Sequence, residues 1–356
     1  MSSVAGAPDL AAIGFDANRF PAFTQPAGAT LVRLVAQHRD SFEVHDGATL
    51  KRARPLPRLK QLPAEQRAAV GDFGWIERHA DEQHLVELLP RYSVLQRGAA
   101  GERYAVQTLA ANIDLVGVLC GLDGDFNPRR IERYLGLVAG SGIEVLVVLT
   151  KADLAPPEQV AQQLADVESV ASGRAVIAIN ARDPDAVSAV RSRLGPGRTG
   201  VLLGSSGAGK STLTNTLAGA EVNATQSVRA HDSRGRHTTV HRQLVQLPGG
   251  GCLIDSPGLR EIKLLGDEPL ETEVFTEIAV LADSCRFRDC THDREPGCAV
   301  RAALEEGRLE AGRLASYTKL RAEQSAQLAM ASGARKLDEK RGAKLLRSVL
   351  KTKGRR

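Results

Sequence analysis

One short stretch constrains this 356-residue chain more than any other. Residues 204–211 fit the pattern G-x-x-x-x-G-K-[ST], in which a glycine-rich turn joins a strand to a helix. An apolar run at residues 201–203 precedes this stretch, and residues 212–217 have the character of a helix. Because strand, turn and helix all stand in the expected order, we predict a phosphate-binding loop.

This loop predicts the binding of a nucleoside triphosphate together with Mg²⁺. Backbone N–H groups would surround the phosphates, Lys210 would reach the β- and γ-phosphates, and the Ser211 hydroxyl would bind Mg²⁺. A chance Gly/Ser-rich loop is the alternative, which the flanking strand and helix disfavour. The residues predicted here to contact nucleotide are Gly204, Ser205, Ser206, Gly207, Ala208, Gly209, Lys210, Ser211 and Thr212.

Composition narrows the class of protein. The length suggests two or three domains, and the net charge of +5 is mild for a nucleic-acid-binding protein. We find no cationic start followed by an apolar core, and no apolar run long enough to span a membrane. Three of the five cysteines fall between Cys285 and Cys298, which favours metal ligation in a reducing compartment over disulfides. We therefore expect a cytoplasmic protein with no membrane partner, acting as a monomer.

The first hundred residues favour a small basic barrel. Residues 10–23 predict a short amphipathic helix within an N-terminal extension, residues 1–29. Short strands with Gly and Pro between them predict a β-barrel over residues 30–100. Positive charge concentrates at residues 51–54 and 58–60, and basic small barrels are common RNA-binding modules. A structural barrel whose arginines merely face water is an equal alternative.

Residues 101–264 alternate apolar strands with helices, which predicts a doubly wound α/β sheet. Ligands bind such sheets where the strands end, and Thr150-Lys151-Ala152-Asp153 follows one strand. The Asp153 carboxylate could accept from N1–H and the exocyclic amine of guanine, donors that adenine lacks in that arrangement. The stem of Lys151 could lie along the ring. The alternative is a helix start with Asp153 as a solvated acid.

Three further motifs follow other strands. Asn180 and Ala181 stand where backbone N–H groups could meet the guanine oxygen. Asp255-Ser256-Pro257-Gly258 has the form D-x-x-G, in which Asp255 would hold the Mg²⁺ shell and the Gly258 N–H would sense the γ-phosphate. A threonine from the pair Thr238 and Thr239 would complete that shell only while the γ-phosphate is present, as an order–disorder switch. The predicted magnesium ligands are Ser211, Thr238, Thr239 and Asp255. A surface threonine pair and a simple turn are the alternatives.

The order of these motifs is unusual. In an ordinary GTPase the phosphate loop comes first, then the switch threonine, D-x-x-G, N-K-x-D and the S-A loop. Here the last two precede the phosphate loop. Such a rotation leaves a three-dimensional site intact, because old termini can be joined at the surface and new ones opened.

On these motifs the chain resembles the ribosome small subunit-dependent GTPase A family of circularly permuted GTPases, over about residues 31–313. The resemblance implies an OB-fold at 30–100, a circularly permuted P-loop GTPase domain at 101–264 and a mostly α zinc-binding domain at 265–334, before a basic tail at 335–356. It also implies GTP hydrolysis stimulated by the small ribosomal subunit during its late maturation, with rRNA and ribosome maturation factors as partners. The motifs that carry it are Leu109-Ala110-Ala111-Asn112-Ile113-Asp114, Leu122-Asp123-Gly124-Asp125-Phe126-Asn127, Thr150-Lys151-Ala152-Asp153, the phosphate loop, Gly235-Arg236-His237-Thr238-Thr239, Asp255-Ser256-Pro257-Gly258-Leu259 and a Cys/His cluster.

The chain departs at three positions from the motifs that are usual in GTPases. Thr150 stands where Asn is usual, which predicts weaker binding of guanine, and Asn180 stands where Ser is usual. Asp153 remains, so we expect GTP rather than ATP. The residue after D-x-x-G is Leu259, which cannot orient water as a Gln does. His237 is the predicted catalytic residue, because a neutral imidazole could orient or deprotonate water and the resemblance also indicates it. A surface histidine is the alternative.

The cluster Cys285-x4-Cys290-x-His292-x5-Cys298 offers three thiolates and an imidazole. This is the ligand count of a closed, tetrahedral, structural Zn²⁺ site, which predicts about one zinc ion per chain. Unliganded cysteines are the alternative, and the histidine disfavours an iron–sulfur centre. The tail at 335–356 is dense in Lys and Arg. Beside a basic barrel, this favours contacts with phosphate backbones over a merely solvated tail.

Two other classes of protein remain open at this point. The phosphate loop would also suit an ABC-type or other P-loop ATPase, but the L-S-G-G-Q signature is absent downstream. A non-enzymatic RNA-binding assembly factor could use nucleotide only as a structural ligand. Hydrolysis of GTP, measured with and without small subunits, separates the three classes.

Overall fold

The computed structural model describes residues 9–353 apart from 22, 99–105, 223–242, 256–263 and 266, with side chains described as far as residue 333. Its first strands form a closed five-stranded barrel in the order β1-β2-β3-β5-β4, with β4 pairing back onto β1. Alternate residues of these strands, such as Val32, Leu34 and Val44, fill its interior. The predicted small barrel is thus confirmed. Its elements are β1 (Thr30–Gln37), β2 (Phe42–His45), β3 (Leu50–Pro55), α1 (Pro57–Lys60), β4 (Phe73–His79) and β5 (Glu82–Leu88).

A hairpin that the sequence did not predict follows the barrel. Strands β6 (Val94–Gly98) and β7 (Val106–Ala111) pair antiparallel in a sheet of their own. Polar side chains interrupt the apolar alternation in both strands, for example Gln96 and Gln107. This is why the pattern gave no strand signal here.

The α/β region has the predicted alternation of strands and helices. Its strand order is β10-β9-β8-β11-β13-β12, with β12 antiparallel to β13 and the other pairs parallel. Every residue of β8 and of β11 is buried, because helices cover both faces of the sheet. The elements are β8 (Leu115–Gly121), α2 (Pro128–Val138), β9 (Glu144–Thr150), α3 (Pro157–Val170), β10 (Ala175–Ala178), α4 (Ser188–Arg191), β11 (Thr199–Gly204), α5 (Lys210–Ala218), β12 (Gln243–Gln246) and β13 (Cys252–Asp255).

The barrel and the α/β region form one continuous hydrogen-bonded sheet. Strand β1 pairs with β12 at Ala36 and Gln243, which gives eleven strands in all. A second connection is the wholly buried Arg33, which donates to the carbonyl oxygens of Gly71, Ile13 and Asn112 and to the Thr199 hydroxyl. A buried charge is tolerated only when it is hydrogen-bonded in this way. One side chain therefore connects the N-terminal segment, the barrel and β11.

The helix predicted at residues 10–23 is wrong. The segment instead forms two single 3₁₀ turns, Ala11–Ile13 and Ala17–Arg19. Gly14 separates them in the left-handed region at φ +78°, where a Cβ atom would lie 2.1 Å from an Arg33 nitrogen. Phe20 stacks on Phe15 and packs edge-to-face against Phe73 of the barrel. Packing of aromatic side chains onto the barrel decides this conformation, and helical periodicity does not.

The last part of the described chain is helical and packs on the α/β region. Helices α6 (Leu270–Glu273), α7 (Thr276–Ala282), α8 (Ala299–Glu305) and α9 (Ala311–Lys353) follow one another. Arg313 of α9 donates to the buried Glu132 of α2 at 2.7 Å. Helix α9 continues through the boundary expected between residues 334 and 335. Within the described residues, we find no helix with the length and apolarity needed to span a membrane.

Candidate nucleotide and metal sites

The carboxyl ends of the parallel strands meet at one edge of the sheet. Thr150 ends β9, Gly204 ends β11 and Asp255 ends β13, while Asn180 lies two residues beyond β10. The register pairs Gly121 with Thr150 and Gly204 with Leu119, which places these strand ends side by side. Residues far apart in sequence therefore come together at the edge where open α/β sheets bind ligands.

Glycine is required in the phosphate loop for two reasons. Gly204, Gly207 and Gly209 have φ values of +155°, +84° and +87°, which L side chains rarely adopt. A Cβ atom on Gly204 would also lie 2.6 Å from the carbonyl oxygen of Leu119. Gly209 is the N-cap of α5, so the loop leads directly to a helix N-terminus. Free N–H groups and the helix dipole make that position suited to an anion.

Lys210 is held over the loop by carbonyl groups. Its Nζ donates to the carbonyl oxygens of Gly204 at 2.8 Å and Ser205 at 2.6 Å, and the residue is 8% exposed. Burial lowers the pKa of Lys210, and the nearby charge of Asp255 acts in the opposite direction. Both of these hydrogen-bond acceptors are neutral carbonyl oxygens, so neither of them neutralises the ammonium charge that an anionic ligand would meet.

Thr150 braces the phosphate loop. Its hydroxyl donates to the Ala208 carbonyl oxygen at 2.9 Å, and the side chain is fully buried. A Cβ atom on Gly209 would lie 3.1 Å from the same hydroxyl, so the two loops pack closely. Lys151 follows in the left-handed region at φ +63°, and Asp153 is exposed in the 3₁₀ turn Ala152–Leu154. The end of β9 thus supports the phosphate loop and leaves the Asp153 carboxylate accessible.

The loop after β10 is tied to its neighbours by backbone groups. The Ala152 N–H donates to the Ile179 carbonyl oxygen, and the Thr216 hydroxyl of α5 donates to the Ala181 carbonyl oxygen at 2.7 Å. The Asn180 side chain accepts from the Arg182 N–H at 3.0 Å. The side chain of Asn180 is therefore used within the loop, which is consistent with a mainly backbone role at this position.

Two acidic residues at this edge were not among the predicted site residues. Asp123 forms an ion pair with Lys151, and Asp125 accepts from the Ser205 hydroxyl at 2.5 Å. Both follow the buried strand β8, at the same sheet edge as the predicted motifs. The signal that could have identified them was their position directly after a continuous apolar run.

Part of the predicted switch lies outside the described residues. Asp255 is described at the end of β13 and is 8% exposed. The predicted catalytic His237, the threonines Thr238 and Thr239, and Gly258 fall in the ranges that the structure does not describe.

The four predicted metal ligands come together in the C-terminal region. The donor atoms of Cys285, Cys290, His292 and Cys298 all lie within 4.8 Å of one another. His292 Nδ1 is 3.7 Å from the Cys285 sulfur and 3.5 Å from the Cys298 sulfur, and these two sulfurs are 3.9 Å apart. Sulfur ligands about 2.3 Å from a shared tetrahedral centre lie about 3.8 Å apart. The cluster therefore fits one four-coordinate metal ion.

The basic residues of the barrel are largely engaged. Lys51 pairs with Asp46 at 2.6 Å, and Arg54 pairs with Glu82 at 2.8 Å. Arg58 donates to a backbone carbonyl oxygen at 2.6 Å. Acidic neighbours that come from other parts of the barrel thus offset much of the positive charge that is evident in the sequence.

Comparisons with known proteins agree with this geometry. The family model for the RsgA GTPase matches residues 88–265. The small ribosomal subunit biogenesis GTPase RsgA of Xanthomonas campestris pv. campestris (strain B100) is 53% identical over 310 residues, covering 86% of this chain and 82% of the relative. The protein of the same name from Xanthomonas axonopodis pv. citri (strain 306) is 52% identical with the same coverage.

Two solved structures share the fold. The crystal structure of YjeQ from Thermotoga maritima superposes with a TM-score of 0.58 at 22% identity, covering 83% of this chain and 98% of that one. YloQ, a circularly permuted GTPase, superposes with a TM-score of 0.58 at 20% identity, covering 86% and 99%. The strand order described above is therefore that of a circularly permuted GTPase.

Proposed function

The chain belongs to the RsgA GTPase family, and from this premise we propose that it binds the small ribosomal subunit and hydrolyses GTP during late maturation of that subunit. The GTPase activity follows from the family, whose members are named as GTPases. The subunit is the partner stated in the names of the relatives. In this role the protein acts as an assembly or checkpoint factor.

The single observation that supports this proposal best is the meeting of the phosphate loop with residues 150–153. Lys210 and the loop glycines provide a phosphate site, and the hydrogen bond from Thr150 to Ala208 fixes residues 150–153 against it. Asp153 is accessible from solvent and selects guanine by accepting from its N1–H and amine. Asn180 and Ala181 complete the base site through their backbone.

The hydrolysis step depends on groups around the γ-phosphate. Ser211, Asp255 and a threonine of the pair Thr238 and Thr239 would hold Mg²⁺, which would neutralise phosphate charge. His237 positions the attacking water in place of a glutamine, and the Gly258 N–H senses the γ-phosphate. Because His237 takes the place of the glutamine that orients water in many GTPases, GTP hydrolysis by the isolated protein is slow. Binding of the small subunit raises it.

Cys285, Cys290, His292 and Cys298 hold one Zn²⁺ ion. Four protein ligands form a closed set, so the metal is structural and leaves no position for a substrate. It fixes the loops between α7 and α8, which lack an extensive core of their own. Metal analysis of the purified protein should find about one zinc per chain. A chain that contains no metal and keeps its thermal stability would contradict this assignment.

The remaining regions contact RNA. A closed five-stranded barrel with the order β1-β2-β3-β5-β4 suits an OB-fold at 30–100, a module that binds oligonucleotides. It precedes the permuted GTPase domain at 101–264 and the zinc-binding domain at 265–334. The barrel and the basic residues of 335–356 bind rRNA phosphates, near other maturation factors. The protein acts in the cytoplasm as a monomer.

The permuted order provides a mechanical connection. In the chain, the metal-binding region follows soon after Gly258, whereas the barrel leads into the α/β region at Asp114, directly before β8. Loss of the γ-phosphate therefore moves the metal-binding region relative to the barrel and weakens binding of the protein to rRNA. Equal affinity of the subunit for the GDP-bound protein and for a GTP-analogue-bound protein would contradict this mechanism.

One experiment tests the proposed function as a whole. Phosphate release is measured with GTP and with ATP, each with and without purified small ribosomal subunits. We expect slow GTP hydrolysis that rises strongly with small subunits, and little ATP hydrolysis. Equal use of ATP, or no response to small subunits, would refute the proposal.

A further inference from the structure

A short loop packs against the candidate nucleotide site. Residues 122–127 join β8 to α2 and contact both halves of the site. Asp123 pairs with Lys151, directly after β9, and the Asp125 Oδ2 accepts from the Ser205 hydroxyl of the phosphate loop at 2.5 Å. No prediction from the sequence gave either acid a role. This one loop therefore links the two parts of the site that bind base and phosphate.

Asp125 is held firmly in its place. Arg130 donates to the same Oδ2 at 2.6 Å, and the Asp125 N–H donates to the Asp123 carboxylate at 3.2 Å. The Arg130 hydrogen bond holds the pKa of Asp125 below its usual range, against the opposing effect of burial. Asp125 is therefore a carboxylate at neutral pH and can accept from both donors. Charge-assisted hydrogen bonds of this kind are short and strong.

The charge of Asp125 argues against a role in attracting the ligand. A carboxylate next to a phosphate-binding loop repels the phosphates, and Arg130 offsets that repulsion. What the Asp125 side chain adds is geometric, since its bond to Ser205 fixes the second residue of the loop. The adjacent Lys210 donates to the carbonyl oxygen of this same Ser205 at 2.6 Å. The position of Ser205 thus also affects the position of the Lys210 ammonium.

Helix α2 gives this contact a rigid support. Arg130 lies in the first turn of α2, which Asn127 caps by accepting from the N–H groups of Arg129 and Arg130. Further along α2 the buried Glu132 accepts from Arg313 of α9. The hydrogen bonds from the phosphate loop therefore end on a helix that is itself held by the C-terminal region.

We propose that Asp125 is a positioning residue for GTP hydrolysis, which holds the phosphate loop through Ser205 and anchors it to α2 through Arg130. It acts through Ser205 and does not act on the nucleotide directly. The proposal rests on the assignment of residues 204–211 as the phosphate site of the GTPase. If the phosphate loop is misplaced by a fraction of an ångström, contacts made in the transition state weaken.

The test compares Asp125→Ala, Asp125→Asn, Ser205→Ala and the double variant Asp125→Ala/Ser205→Ala in the full-length protein. Asp125→Ala and Ser205→Ala should each lower kcat/KM for GTP about tenfold, mainly through kcat, as expected for loss of a charge-assisted hydrogen bond. Asp125→Asn keeps an acceptor for Ser205 and should be intermediate. The double variant should be no slower than either single variant, because both remove the same interaction.

Each other outcome has a defined meaning. If Asp125→Ala and Asp125→Asn behave alike, or if the two single effects multiply in the double variant, the positioning role is wrong. Faster hydrolysis or tighter nucleotide binding in Asp125→Asn would show that only its charge matters. Should Asp125→Ala fail to fold, Ser205→Ala and Asp125→Asn still decide the question.

Two controls separate this proposal from the assignment on which it rests. Glu144→Gln removes a carboxylate that pairs with Arg198 at the start of β9, the opposite end of that strand from Thr150, and should leave kcat/KM unchanged. Lys210→Ala should abolish GTP binding. If Lys210→Ala still binds GTP normally, the phosphate site itself is wrong. If Lys210→Ala loses binding while Ser205→Ala and Asp125→Ala are unaffected, only the positioning role fails.

Discussion

The phosphate loop and the barrel both contain cations, but they hold them in different ways. Lys210 is buried at the loop, and among the described residues its ammonium donates to two neutral carbonyl oxygens rather than directly to a carboxylate. Arg54 on the barrel is half exposed and donates to the carboxylate of Glu82. A cation held by neutral dipoles remains available to an anion, whereas a cation paired with a carboxylate must first exchange its partner. The partners of a basic residue therefore indicate more about its role than its number of basic neighbours in sequence.

The largest effect should come from Lys210. Lys210→Ala removes the ammonium that the loop holds ready for phosphate, and should lower GTP hydrolysis by about a thousandfold, which is about 4 kcal/mol of transition-state stabilisation. Steady-state phosphate release and binding of a fluorescent GDP analogue measure this. Lys51→Ala removes a cation that Asp46 already neutralises and should change neither quantity. Equal losses of GTP hydrolysis and nucleotide binding in the two variants would contradict the distinction drawn between the phosphate loop and the barrel.

The next effect concerns a buried cation that has a structural role. Arg33→Met leaves the carbonyl oxygen of Ile13 without this donor and removes one of two donors each from the carbonyl oxygens of Gly71 and Asn112. It should lower the free energy of unfolding by about 3 kcal/mol. Arg54→Met on the barrel surface should lower the free energy of unfolding by less than about 1 kcal/mol. Chemical denaturation of both variants makes the comparison. A similar loss of unfolding free energy in both variants would show that burial does not determine how much these arginines stabilise the fold.

A smaller effect is expected at the brace between the two loops. Thr150→Val keeps the shape but loses the donor to the Ala208 carbonyl oxygen, and should weaken GTP binding about fivefold. Thr150→Ser keeps the hydroxyl and should stay within about twofold of the original protein. Titration with a fluorescent nucleotide gives both values. If valine and serine behave alike, the hydroxyl does not brace the loop.

The smallest effect should appear on the barrel. Glu82→Gln removes the nearer of the two carboxylates paired with Arg54 and leaves Asp40 at 3.9 Å. It should strengthen binding of the small subunit about twofold at low salt, with less gain at high salt. Binding is followed by co-sedimentation over a series of salt concentrations. Weaker binding in this variant would show that the ion pair itself contributes to the interface.

Regular features of the fold could be predicted from the sequence where one short stretch determines them. The continuous apolar run at residues 145–149 and the phosphate loop predicted β9, β11 and α5 close to their observed bounds. The metal cluster was also local, because all four ligands fall within one short segment. A feature can be predicted from local sequence when all the residues that form it lie in one short stretch.

The features that were missed depend on contacts between distant segments. The bond between Asp125 and Ser205 joins residues 80 positions apart, and that between Arg54 and Glu82 spans 28. The predicted helix at 10–23 was wrong because Phe15 and Phe20 pack against Phe73 of the barrel. No periodicity in one segment reveals such partners. The roles of Asp125 and of the barrel arginines therefore could not be read from the sequence.

The central claim is that Asp153, which precedes the phosphate loop in sequence, selects the base of a nucleotide whose phosphates that loop binds. Competition between GTP and xanthosine triphosphate in the Asp153→Asn variant tests this most directly. An Asn side chain can donate to the additional oxygen of xanthine, so the variant should lose its preference for GTP and accept xanthosine triphosphate. An unchanged preference for GTP in a folded Asp153→Asn protein would contradict the account.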